Sequence, residues 1–254
     1  MNTALKSTLI VFILSGLLGC AGGGQQRPVS QDARAADINM RLGLSYLQRG
    51  EYEVALEKLE KALQQDPGLT TAHNTIALLY QQLGQNEKAE HHFRQAVNRT
   101  PQYSEAQNNY GVYLCQQERY QEAEQRFMAA IENPLYQMAA QAYENAGVCA
   151  LRSGDADKAE RYFRQALQID PELPQALIRM ADISYDRQEY LQARAYVQRF
   201  QAAAAWTPQS LLTAIKTENK LNDQDAVASY KLVMRARFPD SDEAQQVNRG
   251  FYRE

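Results

Sequence analysis

This chain has no basic face, few histidines and no apolar run long enough to cross a membrane. Lys and Arg total 27 against 30 Asp and Glu, a net charge of -3, and no Lys/Arg cluster exceeds two residues. Nucleic-acid binders usually show a basic stripe, so no nucleic-acid partner is expected. The histidines are His73, His91 and His92. No H-E-x-x-H motif joins them, and adjacent helical residues point about 100° apart, so a metal site is not expected. They read as surface residues. G-x-S-x-G and P-loop motifs are missing too, and the Gly22-Gly23-Gly24 run follows no strand. The chain therefore reads as a non-enzyme without a cofactor. Glycine (13) and proline (8) are sparse in 254 residues and sit at intervals, which suits helices punctuated by turns.

The longest apolar stretch, Leu9 to Leu18, is interrupted by Ser15 and Gly16 and follows Lys6. A bilayer core needs about 20 apolar residues, so this length fits a signal peptide over 1–19. It ends in Leu17-Leu18-Gly19-Cys20, which resembles a bacterial lipobox. That resemblance implies a lipidated Cys20 as the first mature residue. Ala21 stands where an inner-membrane retention signal would place Asp, so the expected location is the outer membrane, facing the periplasm. Residues 20–35, rich in Gly and Gln, read as a flexible lipid-anchored tether.

A 34-residue self-similarity fills the remainder. Leu42-Gly43-x-x-Tyr46 precedes Ala55, Leu59 and Pro67. Ile76-Ala77-x-x-Tyr80 precedes Ala89, Phe93 and Pro101. Tyr110-Gly111-x-x-Leu114 precedes Ala123 and Phe127. Ala146-Gly147-x-x-Ala150 precedes Ala159, Phe163 and Pro171. Met180-Ala181 and a degenerate sixth unit continue the series, with one slip to 36 residues between units three and four. This resembles the tetratricopeptide repeat. The expected fold is all-α: a right-handed α-solenoid of helical hairpins over 36–69, 70–103, 104–137, 140–173, 174–207 and 208–239, then a tail or cap over 240–254. Gly or Ala at the eighth place lets helix A approach helix B. Gly50, Gly84 and Gly154 fall at the turn between them. One hairpin cannot bury its own apolar face, so the units must stack.

Cys115 and Cys149 both fall on A helices of neighbouring units. A domain outside the cytoplasm permits a disulfide. Two buried free thiols remain the other reading of the pair. The concave face, lined by helix A at places 2, 5, 9, 12 and 13, is the expected working surface. Its candidate residues are Met40, Leu44, Leu47, Asn74, Leu78, Asn108 and Val112. The face starts apolar and becomes more polar, which suits a hydrophobic or amphipathic partner segment.

Beyond the generic repeat, the chain carries Asn108-Asn109-Tyr110-Gly111, Arg119-Tyr120-x-Glu122-Ala123, Asn133-Pro134-Leu135-Tyr136 and Tyr143-Glu144-Asn145-Ala146-Gly147. Ala226-x-x-Ser229-Tyr230 precedes Phe238-Pro239. With these it resembles the PilF/PilW lipoproteins, the pilotins of type IV pilus assembly, from the lipobox to about Pro239. The resemblance implies a monomeric outer-membrane lipoprotein that binds the pilus secretin subunit and helps it form its ring. It also implies a Cys115–Cys149 disulfide, present in some members. A lipoprotein scaffold for another envelope machine is the alternative.

Overall fold

The computed structural model describes residues 30–250, so Cys20 and the expected signal peptide lie outside the described residues. Thirteen helices and no strand occur among the described residues. Six antiparallel pairs run α1 (Gln31–Gln48) with α2 (Tyr52–Gln65), α3 (Thr70–Gln82) with α4 (Asn86–Arg99), and α5 (Ser104–Gln116) with α6 (Tyr120–Ile131). They continue with α7 (Ala139–Arg152) and α8 (Ala156–Ile169), α9 (Pro174–Asp186) and α10 (Tyr190–Ala203), and α11 (Pro208–Lys220) and α12 (Gln224–Arg237). α13 (Asp242–Arg249) follows. None of these helices is long and apolar enough to cross a membrane.

Helix ends follow the residues that can satisfy free backbone groups. Ser30 accepts from Ala33 N at 3.1 Å and opens α1. The helix therefore begins inside the stretch expected to be tether: 31–35 are helical, because Ala33, Ala35 and Ala36 favour helix and Ser30 caps it. Pro174 and Pro208 start α9 and α11, where a missing N–H costs nothing. The A-to-B turns need a left-handed residue. Gly50, Gly84 and Gly154 supply it with φ of 76°, 69° and 84°. In units three, five and six the same place holds Glu118, Gln188 and Asn222, with φ of 60°, 64° and 60°.

Close approach of A to B explains the eighth place. A Cβ added to Gly111 would stand 2.7 Å from Phe127 Cε1, and one on Gly147 2.7 Å from Phe163 Cε1. Ala77 and Ala181 hold this place in units two and five, fully buried.

Stacking builds three successive cores. The first runs from Ala55 through Phe93, Tyr110 and Phe127 to Cys149. The second runs from Ala140 through Phe163 and Met180 to Ala214. The third joins Leu211, Ile215 and Met234 to Ala244 and Val247 of α13, so the tail is a capping helix. The two extra residues sit between α6 and α7. There Asn133 Oδ1 accepts from Leu135 N at 3.0 Å in a side-chain-closed turn, and Leu135 stands 84% exposed.

Candidate protein-binding groove

The A helices α1, α3, α5 and α7 pack in series along the inner surface, and α9 packs on α11. At its N-terminal end Met40, Leu47, Leu78 and Val112 are half-buried against the first core. Leu44 stands further out, 36% exposed. A recess of about 390 Å³ lies beside them, lined by Leu47, Tyr52, Leu78, Gln81 and Gln82.

Asn74 was expected in this open groove and is instead buried, only 2% exposed. The neighbouring unit covers it: Asn109 Nδ2 donates to Asn74 Oδ1 at 3.3 Å. Asn108 is half-buried and repeats the arrangement one unit on, its Oδ1 accepting from Asn145 Nδ2 at 3.1 Å. Gln81 Nε2 donates to Gln116 Oε1 at 2.7 Å. A row of carboxamides thus links the A helices of units two, three and four. The motif residues Asn109 and Asn145 both occupy place six, which points back at place five of the preceding unit.

Toward the C-terminus the groove becomes charged. A recess of about 350 Å³ is lined by Leu151, Arg179, Asp182, Asp186, Leu212 and Lys216, among others. Burial holds the Asp182 carboxyl above its usual range, although Thr213 Oγ1 donates to it at 2.7 Å and Arg179 lies 3.6 Å away. On place five of unit four, burial pushes Glu144 up to about 7, with the Asp170 charge adding to it.

Cys115 and Cys149 are joined, with Cα atoms 5.8 Å apart, a separation within the disulfide range. The bond lies at the junction of the first and second cores. Nearby, Glu124 accepts from Lys158 Nζ at 3.0 Å and from Tyr162 Oη. Burial alone would raise the Glu124 pKa, and these two donors hold it below the usual range.

Two of the three histidines depart from the surface reading, while His91 is exposed as expected. His73 is 7% exposed and His92 half-buried, with their Nδ1 atoms 3.0 Å apart. His73 Nε2 donates to the Pro67 carbonyl at 3.2 Å. Neutral His73 must then accept at Nδ1, and His92 donates. Gln107 fills the corresponding place in unit three and donates to the Pro101 carbonyl at 2.9 Å. In units two and three place four thus ties the A helix to the turn before it, a role that sequence spacing alone did not reveal. No group of three or more His, Cys, Asp or Glu that could hold a metal occurs among the described residues.

Residues 46–108 match the tetratricopeptide repeat family. Residues 134–248 match the middle TPR-like domain of cilia and flagella-associated protein 70. The type IV pilus assembly protein PilF of Pseudomonas aeruginosa is 34% identical over 95% of this chain and 97% of its own length. A solved structure of Pseudomonas aeruginosa PilF is 33% identical and superposes with a TM-score of 0.80 over 87% of this chain and 99% of that one. PilW, described as a widely conserved type IV pilus biogenesis factor, is 30% identical, with a TM-score of 0.76 over 84% and 98%. With shared repeats, near-complete mutual coverage and the same arrangement of hairpins, this chain belongs to the PilF/PilW family of type IV pilus biogenesis proteins.

Proposed function

We propose that this protein is an outer-membrane lipoprotein, facing the periplasm, that binds the type IV pilus secretin subunit. By holding that subunit it promotes its localisation in the outer membrane and its assembly into multimers. The observation that carries the reading is the near full-length relationship to PilF, a pilus assembly protein. A role in pilus biogenesis follows from the family, and the further steps follow from chemistry. The Leu17-Leu18-Gly19-Cys20 motif supplies a site for lipid. Each acyl methylene buried contributes about 0.8 kcal/mol, so several chains on Cys20 hold the protein at a bilayer. The inner face of the array is the candidate partner site. An unassembled secretin subunit exposes apolar surface, and the groove around Leu44 and Leu47 offers a place to cover it. Burying one side chain of leucine size contributes about 1.5–3 kcal/mol, enough for a few contacts to decide binding.

Leu44→Glu tests this directly. The side chain is exposed at the groove, so the variant keeps its circular dichroism and melting curve while a buried charge opposes the contact. Secretin multimers and surface pili are expected to disappear. Cys20→Ala is expected to keep the partner bound but misplaced, and to lose palmitate labelling. If deleting the whole protein left heat-resistant secretin multimers at wild-type levels in the outer membrane, a scaffold for another envelope machine would replace this reading.

A further inference from the structure

The two ends of the stack are finished differently. α13 covers the last unit with an apolar side and turns a polar one outward, as the end of a repeat array needs in water. The first unit has no such cover among the described residues. Its α1 buries Ala36 and Gly43, packs Met40 and Leu47 against the first core, and presents the opposite side to solvent. At about 100° per residue, that side is centred on Ile38, with Arg34, Arg41, Leu42, Ser45 and Arg49 within about 60° of it. All six are exposed. Asp32 and Asp37, the acids of α1, fall about 100° or more away. The stripe is therefore apolar in its middle and cationic around it.

The ion pairs of these cations leave the charge outside. Arg41 Nε meets Asp37 at 2.9 Å and Arg49 Nε meets Glu51 at 3.2 Å, yet the two arginine side chains stay 74% and 55% exposed. Arg34 has no ion pair among the described residues. From α2, Lys58 and Lys61 border the same end, on the stripe where Gln65 accepts from Asn39 Nδ2 at 2.8 Å, and Glu57 is bound to Lys58. A second copy of the chain fits this surface poorly. Head to tail, α13 blocks the last unit; head to head, arginine would meet arginine. The segment between Cys20 and Ser30 fits no better, because its large apolar side chains are few and its charge is Arg27. An anionic lipid surface fits both parts of the pattern. Phosphates take the arginines, and Ile38 and Leu42 reach the acyl boundary, as in helices that lie in a membrane interface. Reach agrees. The ten steps of chain from Cys20 to Ser30 span at most about 33–36 Å, so a lipid on Cys20 keeps unit one beside the bilayer, where effective concentration populates even a weak contact.

The geometry points to the outer stripe of α1 as a membrane-docking surface, with Arg34, Arg41 and Arg49 on the phosphates of anionic phospholipid and Ile38 and Leu42 in the interface between them. This rests on the reading above that Cys20 carries the lipid, but not on the identity of the protein partner. Unit one then lies against the bilayer, the later units recede from it, and the inner face stays open from the side. Cys20 limits the distance and α1 sets the orientation.

The test uses the full mature chain, lipidated at Cys20, in vesicles of brominated phosphatidylethanolamine with or without phosphatidylglycerol. With the Cys20 thiol taken by lipid and Cys115 bonded to Cys149, Ser45→Cys supplies the free thiol for a fluorescent dye, and Gln245→Cys on α13 supplies the control. Lipid bromines are expected to quench the dye at position 45 several-fold more than at position 245 when phosphatidylglycerol is present. Salt is expected to reduce that excess. Ile38→Asp with Leu42→Asp is expected to abolish it and to leave the melting curve unchanged, because both side chains are exposed. The salt arm needs no such variant, so the result stands even if the double variant folds poorly. Equal quenching at both positions, or indifference to phosphatidylglycerol and salt, would overturn the proposal. So would shielding of the position-45 dye without vesicles, which would assign the stripe to the tether, or to a second copy if it grows with protein concentration. Palmitate labelling is read separately. Its absence removes the anchor alone, and sedimentation of the unlipidated chain with vesicles then decides the docking surface: about tenfold stronger binding to anionic than to neutral vesicles is expected, and equal binding overturns it.

Discussion

Along α1, α3 and α5 the inner face carries Met40, Leu44, Leu47, Leu78 and Val112. Along α7, α9 and α11 it carries Glu144, Arg179, Asp182 and Lys216. The junctions between units differ in parallel. In the first half Glu90, partly exposed, takes Arg119 Nη1 at 2.7 Å. Burial would raise the Glu90 pKa, but the Arg119 hydrogen bond and charge outweigh it and hold the carboxyl below its usual range. At the last junction the charges swap sides. Arg194 occupies the place that Glu90, Glu124 and Glu160 hold earlier, and it grips the buried Glu218 through Nε at 2.9 Å. The skeleton of small residues that brings A onto B is common to both halves. Places on the inner face that do not touch that interface differ in charge between the halves while the skeleton stays the same.

The largest expected effect breaks this contrast at the last junction. Arg194→Ala strands the buried Glu218 carboxylate and is expected to cost about 3–5 kcal/mol. Arg119→Ala at the more exposed Glu90 pair is expected to cost about 1 kcal/mol or less. Urea unfolding of both variants checks the difference, and equal losses would refute it.

Next comes the bond that ties α5 to α7 at the end of the first core. Removing the Cys115–Cys149 link frees a loop of about 35 residues, which costs at most about 3–4 kcal/mol in the chain-entropy treatment. Melting with and without reductant measures it. Thiol trapping of the denatured protein is expected to find no free thiol at these positions until reductant is added.

Acid is expected to soften only the first half. Burial holds His92 down at about 4, with the charges of His73 and His91 adding, and burial also lowers His73. The unfolded chain takes these protons near pH 6.5, before the folded one does. Stability is therefore full above that pH and falls as pH drops toward 4. A shift of this size sets a ceiling of about 3 kcal/mol, and half-exposure reduces the expectation to about 1–2 kcal/mol. The difference in melting between wild type and His92→Gln from pH 7.5 to 4.5 checks it, because Glu144, held up at about 7, contributes the opposite trend to both proteins in the same window.

The smallest effect sharpens the comparison between turns. Glu118→Gly and Gln188→Gly relieve a left-handed backbone strained for a side-chain-bearing residue, and each is expected to stabilise by about 0.5–1 kcal/mol. Asn222→Gly is expected to gain less, because Asn tolerates this conformation. Chemical denaturation resolves all three.

The hairpins were legible because their signals are local. Gly43, Gly111 and Gly147 face Leu59, Phe127 and Phe163 sixteen residues on, and Gly50, Gly84 and Gly154 mark the turns. The apolar stripe of α1 was legible for the same reason. Burial set by a neighbouring unit was not. Asn74 fits the groove pattern on its own helix, yet Asn109 lies over it. His73 and His92 look like surface residues one at a time and become a partly buried pair only when α3 packs on α4. Glu118 and Gln188 carry no turn signature, because the two helices they join impose the conformation on them.

A pile of similar plates has no natural height: whatever surface accepts the sixth plate would accept a seventh, or the first plate of another molecule. α13 removes that freedom. It lays Ala244 and Val247 over Leu211, Ile215 and Met234 and turns Asp242, Gln245 and Asn248 to the water. Among the described residues the opposite end carries no such cover, with Ile38 58% exposed and Leu42 42% exposed on α1. The described array is thus polar in the geometric sense, capped at one end and bare at the other.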